Sequence, residues 1–138
     1  MKNLYTPSTL LTKSEFLKIE RALQRSWSEK TAVFARDEDE WSEQNPAKGQ
    51  CLPTAALIND LFGGKLVYDK ANSHYWNELS DGTWQDFTRV QFADEVRFKV
   101  KKLKAKSEAL NDSHAIKHGS KRRYELLKQK FLKNYDLP

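Results

Sequence analysis

Cys51 is the only cysteine of the 138-residue chain, and its surroundings favour nucleophilic chemistry. A helical pattern runs from Cys51 to Phe62 and stops at Gly63-Gly64. Pro53 lacks an N–H and is tolerated only in the first turn, which places the helix start at residues 50 to 52. At a helix N-terminus, unpaired N–H groups and the helix dipole favour an anion. The position of Cys51 is therefore one in which a thiol becomes a thiolate nucleophile.

His74 and Asp86 are the candidates to complete a catalytic triad with Cys51. A thiol nucleophile needs an imidazole to take its proton and an acceptor that orients this imidazole. The backbone N–H of Cys51 and the side chain of Gln50 could hold the oxyanion that develops on an attacked carbonyl. These residues predict attack of Cys51 on an amide or ester carbonyl and a thioester intermediate, which water or an amine resolves.

The turn between two predicted strands decides whether His74 and Asp86 can meet. The strands, residues 73–79 and 83–88, are separated by Ser80-Asp81-Gly82, which fits a three-residue turn with glycine in the left-handed conformation. In that register His74 and Asp86 share one face of the sheet as diagonal neighbours. A two-residue Asp-Gly turn would place them on opposite faces.

Each of these residues also has a structural explanation when it is taken alone. A single cysteine is more often a small buried hydrophobic residue than a nucleophile. His74 could be a satisfied strand residue, and Asp86 could cap the loop after the hairpin. Trp76 shares the predicted face of His74, which makes it the best candidate to line a substrate cleft, although core packing is the default role of tryptophan.

The remaining pattern predicts an α+β fold that spans residues 1–138 as one domain. In this fold, the helix that carries Cys51 packs on a small antiparallel sheet, and N- and C-terminal helices flank it. Helices are predicted at residues 13–27, 51–62 and 121–135, and strands at residues 65–68, 73–79 and 83–88, with a further strand candidate at residues 97–100.

Composition indicates a soluble chain, and no cofactor is predicted. No apolar run is long enough to span a bilayer, and the N-terminus lacks the apolar segment of a signal peptide. One cysteine cannot form an internal disulfide, so a cytoplasmic location is expected. No metal site is predicted, because His114 and His118 have helical spacing but lack further ligands nearby, so a solvated surface pair is the better interpretation.

Positive charge is concentrated in the last third of the chain. Residues 1–96 carry a net charge of −4, whereas residues 97–138 carry +9. A solvated basic surface is favoured, because lysine dominates and few aromatic residues are interleaved with it. Binding of nucleic acid or an acidic partner through residues 97–133 is the alternative.

Two resemblances extend this interpretation. Gly49-x-Cys51, His74-x-Trp76 and Trp84-x-Asp86-x-Thr88 together resemble the core of transglutaminase-like and papain-like cysteine proteins. That resemblance implies a helix-tip cysteine paired with a histidine and an aspartate on adjacent strands.

A longer set of motifs resembles the bacterial YunG-like proteins, a family that implies no particular substrate. The motifs are Pro46-Ala47-x-Gly49-Gln50-Cys51, Phe62-Gly63-Gly64, Ser73-His74-Tyr75-Trp76-Asn77, Asp86-Phe87-Thr88-Arg89-x-Gln91-Phe92 and Arg123-Tyr124-Glu125-Leu126-Leu127-Lys128. The lysine-rich residues 97–118 match neither pattern.

Three functions follow as hypotheses. The first is a thiol-dependent hydrolase or acyltransferase on an amide-type bond of a peptide or small molecule. The second is a non-catalytic module of the same fold that binds a peptide or small molecule in its cleft. The third is the basic partner-binding protein described above. The catalytic hypothesis predicts a solvent-accessible Cys51 with a His74 ring nitrogen within about 4 Å of its sulfur.

Overall fold

A computed structural model describes residues 3–34, 39–99 and 101–135. Within these residues the chain forms five α-helices and a four-stranded antiparallel sheet with the order β3-β2-β1-β4, which confirms the predicted α+β class. The helices are α1 Lys13–Ser26, α2 Cys51–Phe62, α3 Lys106–Leu110, α4 Ser113–Lys117 and α5 Ser120–Tyr135; the strands are β1 Lys65–Asp69, β2 His74–Glu78, β3 Trp84–Gln85 and β4 Lys102–Lys104. Single-turn 3₁₀ helices lie at Glu29–Thr31 and Arg89–Gln91.

Helix α2 lies between the sheet and the pair formed by α1 and α5. Residues 52–58 are all buried, as expected of a helix covered on both sides. Asn77 Nδ2 donates to the carbonyl of Ala55 at 2.8 Å, and Trp27 Nε1 donates to Thr54 Oγ1 at 2.9 Å. These bonds join α2 to β2 and to the end of α1, so its N-terminus is held in a fixed position.

The flanking helices begin and end close to their predicted limits. Thr12 caps α1 by accepting a hydrogen bond from the Glu15 N–H, as their spacing predicted. Each helix buries one stripe of its surface against the core; the buried large residues are Phe16, Ile19 and Leu23 in α1 and Tyr124, Leu127 and Phe131 in α5. Within the described residues, no helix combines the length and the apolar character that crossing a membrane requires.

The β2–β3 hairpin has the predicted register. Asn77 pairs with Gln85, and the Leu79 N–H donates to the Thr83 carbonyl at 2.8 Å. Gly82 has a φ of +83° and its N–H donates to the Leu79 carbonyl at 2.9 Å, as a three-residue turn requires. The prediction that His74 and Asp86 share a sheet face is therefore confirmed.

Strand β3 is shorter than predicted, and the fourth strand lies later than predicted. Beyond Gln85, Asp86 forms an antiparallel bridge with Leu4. Residues 97–99 are not a strand, and Val100 lies outside the described residues; β4 instead pairs Lys104 with Leu66 of β1. Residues 97–99 are diverted because the ring of Phe98 packs against the rings on the outer face of β2.

Gly64 sets the close approach between the end of α2 and the hairpin. Its φ is +85°, and a Cβ at this position would collide with the carbonyl oxygen of Glu78. The Ser80 hydroxyl also donates to the Phe62 carbonyl at 3.0 Å. The Gly63-Gly64 pair therefore ends the helix and allows the β2–β3 hairpin to pack closely against the end of α2.

Candidate active site

Cys51 is the first residue of α2, as predicted, and the N-terminus of this helix is open. Gln50 precedes it without a side-chain cap, and within the described residues the backbone N–H of Cys51 has no hydrogen-bond partner. Gly49 has a φ of +78°, and a Cβ there would lie 2.6 Å from the Phe34 ring. Glycine is thus required for the chain to enter the helix at this angle.

His74 and Asp86 form a buried, hydrogen-bonded pair. The His74 Nε2 and Asp86 Oδ2 atoms lie 2.7 Å apart, and the histidine side chain is fully buried. The other carboxylate oxygen of Asp86 accepts the Thr88 N–H at 3.0 Å. Backbone hydrogen bonds from Leu4 hold Asp86 from the other side. The imidazole is therefore oriented by a carboxylate that is itself fixed.

The second nitrogen of His74, Nδ1, is buried and has no hydrogen-bond partner among the described residues. Buried polar atoms are nearly always paired, so an unpaired nitrogen requires an explanation. Its neighbour is Cys51, whose thiol donates to the carbonyl of Ser73 at 3.8 Å. Ser73 has a φ of +50°, a conformation that costs free energy in a residue other than glycine.

The charge state of His74 depends on two opposing effects. Burial disfavours the imidazolium, but the charge and hydrogen bond of Asp86, together with the neighbouring Cys51, outweigh it and raise the pKa of His74 to about 9. His74 is consequently protonated at neutral pH. A cationic imidazole and an open helix N-terminus therefore both place positive potential next to Cys51.

Cys51 is half-buried and lines two neighbouring clefts, so it is accessible from solvent as catalysis requires. One is a cavity of about 220 Å³ that also contacts Tyr68, Tyr75 and Asp112. The other has a volume of about 570 Å³ and is lined by Asn72 among other residues. Cys51, Ser73 and Val33 line both cavities and therefore form the boundary between them.

Comparison of the sequence with known proteins identifies a family and a relative. A sequence profile described as YunG protein matches residues 15–136. The chain belongs to the YunG family. It is similar to "Uncharacterized protein YunG" from Bacillus subtilis (strain 168), with 32% identity over 78 residues that cover 55% of this chain and 62% of the relative. The matched segment thus spans less than two thirds of that relative, and no solved structure matches the chain.

Gln50 of this YunG family member does not occupy the predicted oxyanion position. Its side chain is fully buried, with Oε1 accepting from Thr31 Oγ1 at 2.7 Å and Nε2 donating to the Ser28 carbonyl at 3.0 Å. These bonds tie the start of α2 to the first 3₁₀ helix. Burial therefore directs the amide into the protein, and the Cys51 N–H is the remaining donor from the predicted set.

Trp76 shares the face of His74 as predicted, but it contacts neither cleft at Cys51. Its indole is 5% exposed, and its ring centroid lies 5.5 Å from that of His74 in a stacked arrangement. It lines a third cavity next to Asp86. In this position Trp76 contacts the outer side of the imidazole rather than the thiol.

Two aromatic residues around His74 were not predicted from the sequence. The rings of Phe92 and Phe98 each lie 4.8 Å from the imidazole centroid and complete its enclosure. Arg89 holds this loop: its guanidinium donates to four backbone carbonyls between residues 92 and 96 and lies 5.2 Å from the Phe98 ring. Phe92 belongs to one of the motifs that resemble YunG-like proteins. No local sequence signal, however, indicates that residues 92–98 pack over a histidine.

Part of the positive charge of the C-terminal region is used inside the fold. Lys106 and Lys128 both pair with Asp60 of α2. Lys104 Nζ lies 4.2 Å from the Tyr68 ring centroid and donates to the Tyr75 hydroxyl at 3.2 Å. These three lysines therefore have partners within the fold, and the choice between a solvated surface and a partner-binding surface concerns the remaining basic residues of this region.

Proposed function

We propose that this protein is a cysteine-dependent hydrolase or acyltransferase that acts on an amide-type bond through Cys51, His74 and Asp86. The main support is the buried His74 ring, which Asp86 binds at one nitrogen while the other is unpaired next to the Cys51 thiol. The open N-terminus of α2 adds the electrostatic condition that a thiolate needs. The resemblance of these motifs to transglutaminase-like and papain-like cores points to the same chemistry.

The proposed acylation step starts from the Cys51 thiolate and the His74 imidazolium. The thiolate attacks the substrate carbonyl carbon, so that a C–S bond forms and the carbonyl π electrons move to oxygen. The backbone N–H of Cys51 donates to this oxyanion. When the C–N bond breaks, His74 Nδ1 gives its proton to the leaving amine, and a thioester remains on Cys51.

Resolution of the thioester reverses the roles of these groups. Neutral His74 removes a proton from water or from a second amine, which attacks the thioester carbon. The C–S bond then breaks, and the product is a carboxylic acid or a new amide. Asp86 keeps its contact with His74 Nε2 throughout and stabilises the imidazolium each time it forms. Access to Cys51 from two clefts gives space for the acyl part and the amine part of a substrate.

Alkylation of Cys51 by iodoacetamide tests this pair directly, since no other cysteine is present. We expect the wild-type thiol to react at pH 6 faster than glutathione does. The His74→Ala variant should react at least about tenfold more slowly, because the imidazolium that favours the thiolate is gone. Mass spectrometry of the intact protein gives the rate.

His118→Ala is the matched control, because His118 is partly exposed and lines neither of the two clefts at Cys51. Its alkylation rate should equal that of the wild type. Equal rates for wild type and His74→Ala would contradict the triad and would favour a binding module with an ordinary thiol.

We propose a cytoplasmic location for the protein. A catalytic thiolate must stay reduced, and thiols are kept reduced in the cytosol rather than in oxidising compartments. Fractionation of cells that express the tagged chain tests this location.

A further inference from the structure

We propose that the cavity on the outer face of the sheet binds a small, planar aromatic anion, that is, one or two fused rings with a carboxylate, sulfonate or phosphate group. This outer cavity is lined by Trp76, Trp84, Phe98, Arg89, Arg97 and Lys101, among other residues, and has a volume of about 420 Å³. It is separate from both clefts at Cys51, so the proposal stands whether or not Cys51 is catalytic.

The alternation of β2 places this cavity on the side of the sheet opposite α2. Asn77 faces α2, where its amide donates to Ala55, so the adjacent residue Trp76 faces outward. Phe98 and Trp84 extend the same surface, with ring centroids 5.4 Å and 5.6 Å from that of Trp76. Three aromatic rings thus line one concave surface, which suits a flat apolar ligand.

Trp84 has the features of a stacking platform. It is 36% exposed, although it belongs to a strand of the sheet. Its Nε1 donates to Glu78 Oε1 at 3.0 Å, so the ring is oriented before a ligand arrives. A pre-oriented, solvent-facing indole loses little conformational entropy when another ring packs on it.

The charges around the outer cavity select an anion. Arg89 and Arg97 donate hydrogen bonds only to backbone carbonyls, and Lys101 Nζ lies 5.0 Å from the Trp84 ring centroid. Within the described part of the chain, none of these three cations pairs with a carboxylate. Three uncompensated positive charges around an apolar surface attract a negatively charged group.

One carboxylate lines the outer cavity, and its charge is already neutralised. Asp86 lies 4% exposed at the inner wall and forms its 2.7 Å contact with His74. Because the pKa of His74 is raised to about 9, the pair carries no net charge at neutral pH. The arginines and the lysine, three positive charges, consequently outweigh a further carboxylate at this surface, that of Glu78, which accepts from Trp84 Nε1.

Two fluorescent probes with the same ring system test the charge requirement: the anion 1-anilinonaphthalene-8-sulfonate and its neutral analogue N-phenyl-1-naphthylamine. We expect saturable one-to-one binding of the anion. The neutral analogue should bind at least about tenfold more weakly, because it lacks the negative group that the cations contact. Equal affinity for the two probes would overturn the proposal.

Variants then locate the binding site. Trp84→Ala and the double variant Arg97→Gln with Lys101→Gln should each weaken binding of the anion about tenfold, through loss of stacking and of charge. Lys102→Gln is the control, because Lys102 pairs with Glu108 instead, and it should bind as the wild type does. Alkylation of Cys51 should also leave the affinity unchanged.

Two results would place the probe elsewhere and so refute the inference. One is unchanged affinity in the double variant, which removes only exposed charges and is checked for folding by circular dichroism. The other is loss of binding after alkylation of Cys51. If Trp84→Ala fails to fold, the double variant and the pair of probes still decide the outcome.

Discussion

Helix α2 has a polar cluster near each end, and the two clusters differ in how completely they are paired. At the N-terminus, Cys51 lies next to the His74–Asp86 pair, where one imidazole nitrogen and the Cys51 N–H have no partner among the described residues. Near the C-terminus, Asp60 accepts hydrogen bonds from Tyr124, Lys106 and Lys128.

This difference in hydrogen bonding indicates that the Asp60 cluster is structural, whereas the Cys51 cluster is a candidate reactive site. Burial would raise the pKa of Asp60, but Lys106, Tyr124 and Lys128 outweigh it and hold the pKa below its usual value. Every charge there is satisfied, and the cluster joins α2 to α3 and α5. At Cys51, two donors remain for a ligand, the backbone N–H of Cys51 and the protonated Nδ1 of His74, which is the pattern expected of a site where a substrate completes the hydrogen bonding.

The comparison is tested most strongly by Asp86→Ala. This change leaves a buried imidazole without its anion, and we expect a loss of about 3–5 kcal/mol in the free energy of unfolding, as for other broken buried pairs. Urea denaturation at pH 7 measures it. Alkylation of Cys51 should slow in the same variant, since His74 loses its charge. A loss below about 1 kcal/mol would show that the pair contributes no more than an exposed ion pair does.

The second test is the pH dependence of stability. The pKa of His74 rises from 6.5 in the unfolded chain to about 9 in the folded protein, so its stabilising effect is complete below pH 6.5 and is lost as the pH rises through 9. Linkage gives a decrease of about 2 kcal/mol in the free energy of unfolding between pH 7 and pH 9.

Asp86→Asn is the control for this pH dependence. The amide keeps a hydrogen-bonding group of the same size but lacks the charge that raises the pKa of His74. Its stability should vary less between pH 7 and pH 9 than that of the wild type. An equally steep decrease in both proteins would assign the titration to another group.

The smallest expected effect concerns the satisfied cluster. Asp60→Asn removes two ion pairs whose lysine side chains are 32% and 41% exposed, and it keeps a partner for Tyr124. We expect a loss of about 1 kcal/mol, measured by urea denaturation, because partly exposed ion pairs are weak. Alkylation of Cys51 should be unchanged. A slower alkylation would show that the two ends of α2 are coupled, contrary to the distinction drawn above.

Local signals account for the parts of the fold that were predicted correctly. Pro53 and Gly63 determine the ends of α2 through backbone chemistry alone. The three-residue turn that ends in Gly82 sets the register of the hairpin, and the register in turn brings His74 and Asp86 to one face. These inferences needed only a few neighbouring residues each.

Long-range contacts account for the parts that were not predicted. Asp86, beyond the end of β3, pairs with Leu4, and Phe98, which was predicted to lie in a strand, packs on His74 outside the sheet. Gln50 is buried because its amide bonds to Thr31 and Ser28. In each case the partner lies far along the chain, so neither periodicity nor turn chemistry could reveal it.

The bridge between Leu4 and Asp86 constrains the order of events during synthesis. The two residues exchange backbone hydrogen bonds of 2.8 Å and 3.0 Å, and Thr6 likewise bonds to the side chain of Gln85. The segment that holds Leu4 and Thr6 leaves the ribosome before α1, yet its partners emerge only after α2 and most of the hairpin have been made. The Asp86 environment can therefore be assembled only after the hairpin has been synthesised, although it uses residues that precede α1.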